Sequence, residues 1–184
     1  YVQVYPEDVT ADMLTSDVVK VENDGTAKVS FNLVQDQKYN IIFWAQKEGA
    51  YDTGDLRRIP MNVNHHNNES GAAFFALLEN FIPTGTAEPV VLKRPFAQLN
   101  IRTTESSLTN HAGVFELGTS KVTVTGLADV FNTVEGYGEV SKDYVFEAVA
   151  VPEEDVTIDG IKYKYVSMDY LPIVGDAQAL VNIT

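Results

Sequence analysis

The apolar positions of the segment from Val90 to Thr103 change parity at Pro95. Before the proline the pattern favours even positions, and after it the apolar side chains fall at odd positions. Because side chains alternate between the two faces of a strand, the buried face changes at this point. Proline cannot donate to a ladder and is confined to edges, strand starts or bulges. The segment therefore predicts one long β-strand that bends or bulges at Pro95 and serves two layers of a sandwich.

Short alternating segments separated by turn residues make up most of the remaining chain. Asp24-Gly25 and Asp159-Gly160 predict hairpin turns, because Asp-Gly tolerates the positive φ angles that such turns need. Tyr39 to Gln46 is apolar on both faces, which is typical of a central strand. Further strands are predicted at residues 1–5, 17–22, 27–33, 56–63, 77–82, 121–125, 128–132, 144–151, 163–173 and 179–184. A helical turn at 72–76 and a helix at 106–112 complete the prediction of an all-β antiparallel sandwich with one or two short helices.

Two stretches of this sequence resemble the fimbrillin-like proteins of Bacteroides-type bacteria. One is Leu-Lys-Arg-Pro-Phe-Ala-Gln-Leu-Asn at 92–100, and the other is Tyr-Asn-Ile-Ile-Phe-Trp-Ala-Gln at 39–46, followed by Tyr-Asp-Thr-Gly-Asp-Leu-Arg at 51–57. Their order and spacing agree with that family, and the likeness extends loosely from Val29 to Ala179. The resemblance implies a transthyretin-like β-sandwich, a lipoprotein exported to the outer-membrane cell surface, and a role in the fimbrium or in adhesion.

The chain has 184 residues, enough for one large sandwich or for one domain and part of a second. Fimbrillin-like proteins commonly have two sandwich domains, so we expect residues 1–152 to form an N-terminal domain. Residues 153–184 are then its final strands or the start of a second domain that continues beyond the chain. The chain begins at Tyr1 without a signal segment, and the lipidated cysteine that the resemblance implies would lie upstream.

The charge of the chain excludes several kinds of partner. Thirteen basic and 26 acidic residues give a net charge of -13 and a pI near 4.5. Nucleic acids and anionic lipid surfaces are poor partners for such a chain, since both need clustered Lys and Arg. We therefore expect contact with a membrane only through the upstream lipid anchor. The absence of cysteine excludes disulfides, thiolate metal sites and a cysteine nucleophile.

The obvious metal candidates are His65 and His66. Neighbouring residues on a strand point to opposite faces, no third ligand follows at a suitable spacing, and His111 is far away in sequence. An exposed polar loop at 64–71 is the better interpretation. Asp52 to Asp55 offers carboxylates to calcium but lacks the EF-hand spacing, so a turn is expected there. No metal and no cofactor are predicted.

No catalytic constellation is visible either, and the chain is not expected to be an enzyme. There is no Gly-x-Ser-x-Gly, and the separation of Ser107 and His111 by one helical turn is weak support for a nucleophile. The carboxylates of Glu153 to Asp155 are expected to be solvated, with ordinary acidities. Gly136 to Gly138 lacks the strand-to-helix context of a phosphate loop.

The two family-like stretches also contain basic residues that are candidate sites. In some fimbrillins maturation involves cleavage after an arginine, but the dipeptide Arg57-Arg58 does not stand at that position. Lys93 and Arg94 are expected to position or solvate the bend at Pro95 and not to hold a ligand.

Two functions fit these observations. The first is a non-enzymatic cell-surface fimbrial subunit (shaft, tip or anchor) or related adhesin, which pairs with other pilus subunits or itself by β-strand addition at a sheet edge. Such a protein could also bind a host or bacterial surface ligand. The alternative is a surface-anchored glycan-binding module, whose aromatic side chains would come from Tyr51, Tyr137, Tyr163, Tyr165 and Tyr170. Those tyrosines would otherwise serve as core or interface packing.

Overall fold

The computed structural model describes residues 1–61, 65–104, 109–110, 113–114, 118–175 and 180–183. These residues form thirteen β-strands and one short 3-10 helix, Glu69–Gly71. The strands are β1 Val2–Pro6, β2 Thr15–Asp17, β3 Tyr39–Gln46, β4 Arg58–Pro60, β5 Ala73–Phe81, β6 Ala97–Thr104, β7 Thr109–Asn110, β8 Gly113–Val114, β9 Thr119–Asn132, β10 Tyr137–Ala150, β11 Val156–Ile158, β12 Ile161–Leu171 and β13 Leu180–Ile183.

The strands pair in antiparallel ladders. The first sheet has the order β2-β1-β3-β5, the second has the order β10-β9-β13 with β4 also on β9, and the third has the order β11-β12-β6. Strands β7 and β8 form a separate pair. This architecture confirms the predicted all-β antiparallel sandwich.

Strand β3 is central to the first sheet and is covered on both faces, as its sequence predicts. Ile42 and Trp44 belong to a core cluster that includes Phe131 of β9. The Trp44 and Phe131 rings lie 6.0 Å apart, so this cluster joins the first sheet to the second. Tyr39 and Ile41 point to the opposite face and belong to another cluster. Alternation along one strand thus supplies two apolar layers.

The outer face of the first sheet is covered by residues 27–34, here called the covering segment. Its side chains Val29, Phe31 and Leu33 are partly buried against the cluster on that face, and the residues between them are exposed. The predicted alternation is therefore present, but the predicted strand is wrong, because the segment forms no ladder with any described strand. Of the strand predicted at 17–22, only Asp17 lies in a strand, β2.

The long strand predicted around Pro95 is also only half correct. Strand β6 begins at Ala97, and the preceding segment touches β5 through a single bridge between Lys93 and Phe75. Phe96 is buried and packs against Tyr170 with ring centroids 6.0 Å apart. Because Pro95 cannot donate and Phe96 turns into the core, the ladder starts only after these two residues.

The helical predictions were less accurate than the strand predictions. The residues predicted as a helical turn at 72–76 mostly lie in β5, and the turn lies earlier, at Glu69–Gly71. The side chain of Asn68 caps that turn by accepting from the backbone N–H of Ser70. Of the helix predicted at 106–112, only Thr109 and Asn110 are among the described residues, and they form β7.

The hairpin predicted at Asp159-Gly160 is confirmed, because it joins the paired strands β11 and β12, whereas the predicted Asp24-Gly25 turn is present without paired strands on either side. Gly25 has a φ of 81°, and the backbone N–H of Glu22 donates to the carbonyl of Thr26 across that turn. Asp159 and Gly160 have φ angles of 50° and 80°, which is the geometry of a two-residue hairpin with positive φ at both central positions.

The two strands predicted before and after Gly126 are one strand, β9, with a bulge at that glycine. The register with β10 shifts between Lys142 and Tyr144, and Gly126 has a φ of 81°. Later in the chain, β12 pairs with β6 and β13 pairs with β9. The domain division at residue 152 stays a prediction.

Candidate functional site

An open groove of about 420 Å³ runs along one edge of the first sheet. Its walls are residues 75–79 of β5, residues 89–91 with Lys93, and the turn at 133–136. This volume lies within the range of about 300–1,000 Å³ that ligand sites commonly have. The groove is therefore large enough to accept a peptide or a small ligand.

Along this groove, beyond Phe75, the side of β5 away from β3 has no backbone hydrogen-bond partner among the described residues. Phe75 exchanges two backbone hydrogen bonds of 2.8 Å with Lys93, on the side of β5 away from β3. Backbone groups of alternate residues point to the same side of a strand, so the N–H and C=O groups of Leu77 and Glu79 also point away from β3. After the Phe75–Lys93 bridge the two segments separate, and these groups face the groove. They form a free strand edge.

The side chains of the groove are mostly apolar. Leu77 packs on the first core cluster, and Val91 on the opposite wall is 80% exposed. Glu79, Lys93 and Glu135 contribute the charges of the lining. A free edge beside an apolar groove can bind an extended segment, because ladder hydrogen bonds give affinity and side-chain pockets give register. The sequence predicted such an edge but could not locate it, since the groove depends on where residues 89–93 leave β5.

The structure contradicts the prediction that the histidines lie in an exposed loop. His66 is buried, its Nδ1 lies 2.6 Å from Oδ1 of Asp169, and its Nε2 lies 2.9 Å from the carbonyl oxygen of Ser120. Both ring nitrogens of His66 therefore have oxygen partners inside the protein. The ring also stacks on Phe146 with centroids 5.5 Å apart.

Ser120, His66 and Asp169 have the connectivity of a Ser-His-Asp triad, with Ser120 Oγ 3.4 Å from Nε2. The serine side of this arrangement is closed, however. Ser120 is only 4% exposed, and its Oγ accepts a hydrogen bond of 2.9 Å from Nδ2 of Asn67. Ser120 Oγ is thus closed to a substrate carbonyl in this arrangement. The contacts of the trio join the loop before β5 to β9 and β12.

His65 has partners of its own. Its Nε2 lies 3.0 Å from the carbonyl oxygen of Ala50, and its Nδ1 lies 2.8 Å from Oγ of Ser70. No group of three His, Asp or Glu side chains able to hold a metal occurs among the described residues. Ser107 and His111, the weak nucleophile candidates, lie outside the described residues.

The loop at 52–55 is the turn that its sequence predicts. The N–H of Gly54 donates to the side chain of Asp52, and Nε2 of Gln3 donates to the carbonyl of Gly54 at 3.1 Å. Asp55 forms an ion pair of 2.8 Å with Arg57. The hydrogen bond from Arg57 is the largest influence on the Asp55 carboxylate and lowers its pKa.

Among the carboxylates of Glu153 to Asp155, which were predicted to have ordinary acidities, Asp155 is an exception. Asp155 lies 2.5 Å from the ammonium group of Lys162, and this hydrogen-bonded ion pair lowers the pKa of Asp155. Gly138 is tightly packed and does not belong to a loop that could hold phosphate. A side chain there would collide with Ala128 and with the backbone of Ile173.

The five tyrosines proposed for glycan binding have different surroundings. Tyr51 and Tyr170 are buried, at 8% and 2% exposure, and belong to the first core cluster. Burial is the main cause that raises the pKa of both hydroxyls. Tyr163 and Tyr165 are half-buried, whereas Tyr137 is 44% exposed. Two of the five rings are therefore closed to a sugar.

The arginines of the two family-like stretches have partners within the protein. Arg57 donates to the carbonyls of Val9 and Ala11, and Arg58 lies 2.6 Å from Glu139. The guanidinium group of Arg94 lies 5.0 Å from the centroid of the Phe74 ring. The backbone of Lys93 closes one end of the groove through its two hydrogen bonds with Phe75.

No helix among the described residues is long and apolar enough to cross a membrane. Comparison with curated proteins and comparison with solved structures both find no significant match for the chain. A sequence model of a family described as "Family of unknown function (DUF6562)" matches residues 1–184. The match covers the whole chain, and the protein therefore belongs to that family.

Proposed function

We propose that the protein is a non-enzymatic cell-surface subunit of a fimbrium, or a related adhesin, that joins its neighbours by strand addition at the β5 edge. The observation that supports this most directly is the groove beside Leu77 and Glu79, where backbone donors and acceptors face a channel lined mostly by apolar side chains. A strand that enters the groove would extend the first sheet by one strand.

The resemblance of residues 39–46 and 92–100 to fimbrillin-like proteins supports the same proposal. Both stretches lie close to the groove in the fold. Residues 39–46 form β3, which pairs with β5, and the second stretch begins beside Lys93. A transthyretin-like sandwich, a lipid anchor upstream of Tyr1 and an outer-membrane location belong to this proposal.

The first test is an unheated denaturing gel, with immunoblot, of material sheared from the surface of the source cells. Strand addition completes a sheet, so polymers should resist detergent until they are heated. A ladder of bands that collapses on boiling is the expected result. A single monomer band under both conditions would contradict assembly by strand addition.

The site is tested by Leu77→Pro, with Leu77→Val as the matched control. Proline removes the N–H of residue 77, which faces the groove, and the pairing of β5 with β3 uses the N–H groups of the alternate residues. We expect Leu77→Pro to abolish the series of oligomer bands on the gel. Leu77→Val keeps the backbone N–H and should keep those bands. Circular dichroism melts of the purified monomers separate this effect from unfolding. A folded Leu77→Pro protein that polymerises like wild type would show that another edge is used.

A further inference from the structure

The covering segment, residues 27–34, has the form of a strand without a strand's partners. Val29, Phe31 and Leu33 face the outer side of the first sheet, and the side chains between them are exposed. No backbone hydrogen bond joins residues 27–33 to a neighbouring strand in the described part of the chain. Near its end the backbone of Val34 bonds only to the hydroxyl of Tyr39. Three partly buried side chains therefore hold most of the segment in place.

The groove offers backbone hydrogen-bond partners, which the covering segment lacks in its own copy. The free backbone groups of Leu77 and Glu79 need a strand on the side away from β3, and the groove beside them is lined by apolar side chains. Phe75 is already bonded to Lys93, so the free part of the β5 edge spans residues 77–79, and Val29 and Phe31 of the covering segment span the same three positions. The lengths of the two partners match at one strand rise per residue.

Charge selects one direction for this pairing. Lys28 is the only charged residue of the covering segment, whereas the groove carries Glu79 and Glu135 away from the bridge at Lys93. An antiparallel strand with Phe31 opposite Leu77 has Val29 opposite Glu79, so that Lys28 lies at the acidic end. A parallel strand in the same position would bring Lys28 toward Lys93. The antiparallel direction therefore pairs opposite charges.

We propose that the partner in the groove is the covering segment of a second copy, added antiparallel to β5 with Phe31 beside Leu77. This inference rests on the proposed function and names the donor strand. The segment exchanges one apolar surface for another and gains ladder hydrogen bonds that it lacks in its own copy. Donor and groove are different surfaces of one chain, so each copy can bind one neighbour on each side, and the contact builds an open polymer.

Disulfide trapping tests the assignment directly, because the natural chain has no cysteine. The double variant Phe31→Cys/Leu77→Cys is compared with Asn32→Cys/Leu77→Cys, in which the donor thiol lies on the opposite face of the strand. The single variant Phe31→Cys controls for trapping between two donors. We expect reducible oligomers larger than a dimer from the first pair, and at least a tenfold smaller yield from the second. Peptide mapping should find the 31–77 link between two chains.

Charge reversal gives a second measurement that does not depend on a buried substitution. Lys28→Glu should weaken assembly of the purified protein by about tenfold, and adding Glu79→Lys should restore at least half of it. If wild type assembles but the 31–77 link is absent and Lys28→Glu has no effect, another segment is the donor. That outcome overturns this inference and leaves the proposed function intact. If wild type forms no oligomer in cells or after purification, both fail.

Discussion

The Nδ1 atom of His66 lies 2.6 Å from Oδ1 of Asp169 in the interior of the protein, although 103 residues separate them in sequence. Both side chains are almost completely buried. The neighbouring residue Asn67 strengthens the contact, because its N–H donates to the carbonyl of Met168 and its side chain reaches Ser120. This pair therefore fastens the loop before β5 to both β9 and β12.

We expect Asp169→Ala to lower the free energy of unfolding by at least about 1–3 kcal/mol, because it leaves a buried ring nitrogen of His66 without its hydrogen-bond partner. The control is Glu147→Ala, which removes the partner of Lys121 in an exposed ion pair of 3.1 Å and should cost less than about 1 kcal/mol. Urea denaturation of both variants measures the difference. Equal effects would show that the buried pair does not hold the fold together.

This pair also shows where prediction from sequence ends. The period-two alternation of β3 and the Asp159-Gly160 turn are local, so the sequence predicted them correctly. The burial of His66 depends on a carboxylate from a strand near the end of the chain, and nothing in the polar run around His66 indicates it. The location of the groove is likewise a tertiary property, because it depends on how residues 89–93 leave β5.

The packing of Gly138 leads to a second prediction. A Cβ atom there would lie 2.4 Å from Cβ of Ala128 and 2.4 Å from the carbonyl oxygen of Ile173. We expect Gly138→Ala to lower the free energy of unfolding by at least about 1–3 kcal/mol, since the backbone at Ile173 must move. Gly118→Ala is the matched control, because a Cβ there meets no atom within 4 Å. Thermal melts that shift equally would refute the close packing.

Val140 is an unusual residue for its backbone conformation. It has a φ of 58°, and the other described residues with positive φ, apart from glycines, are Asp36, Asn67, Asn80 and Asp159. Aspartate and asparagine tolerate this region, whereas a β-branched side chain is strained there. We expect Val140→Asn to raise the free energy of unfolding by about 1 kcal/mol. Val145→Asn, at a neighbouring exposed valine of β10, is the control and should not stabilise the protein.

The covering segment shows a different limit of sequence reasoning. The alternation of Val29, Phe31 and Leu33 predicts which side chains are buried, and the structure agrees. Alternation does not report whether the backbone has a partner, because burial of one face needs only a surface to lie on. The same pattern therefore fits a strand in a ladder and a segment that lies across a sheet.

The hydroxyl of Tyr5 predicts how stability changes at alkaline pH. Its side chain is buried and donates to Oε1 of Gln3 at 2.5 Å. Burial and then the nearby charge of Asp55 raise its pKa from 10.0 to about 12. The folded state thus holds the proton more tightly than the unfolded state does, so this contribution to stability is complete below pH 10 and is lost as the pH rises toward 12.

The loss should reach about 2–3 kcal/mol across that window, from a shift of about two pKa units. Tyr5→Phe removes the ionisable group, so its unfolding free energy should fall less steeply than that of wild type above pH 10. Other tyrosines with a raised pKa, such as Tyr51 and Tyr144, are present in both proteins, so their ionisation cancels in the comparison. The difference in unfolding free energy between wild type and Tyr5→Phe at pH 7 measures the lost hydrogen bond. The change of that difference between pH 9 and 11.5 measures the ionisation of Tyr5. Parallel curves for the two proteins over that range would contradict the raised pKa of Tyr5.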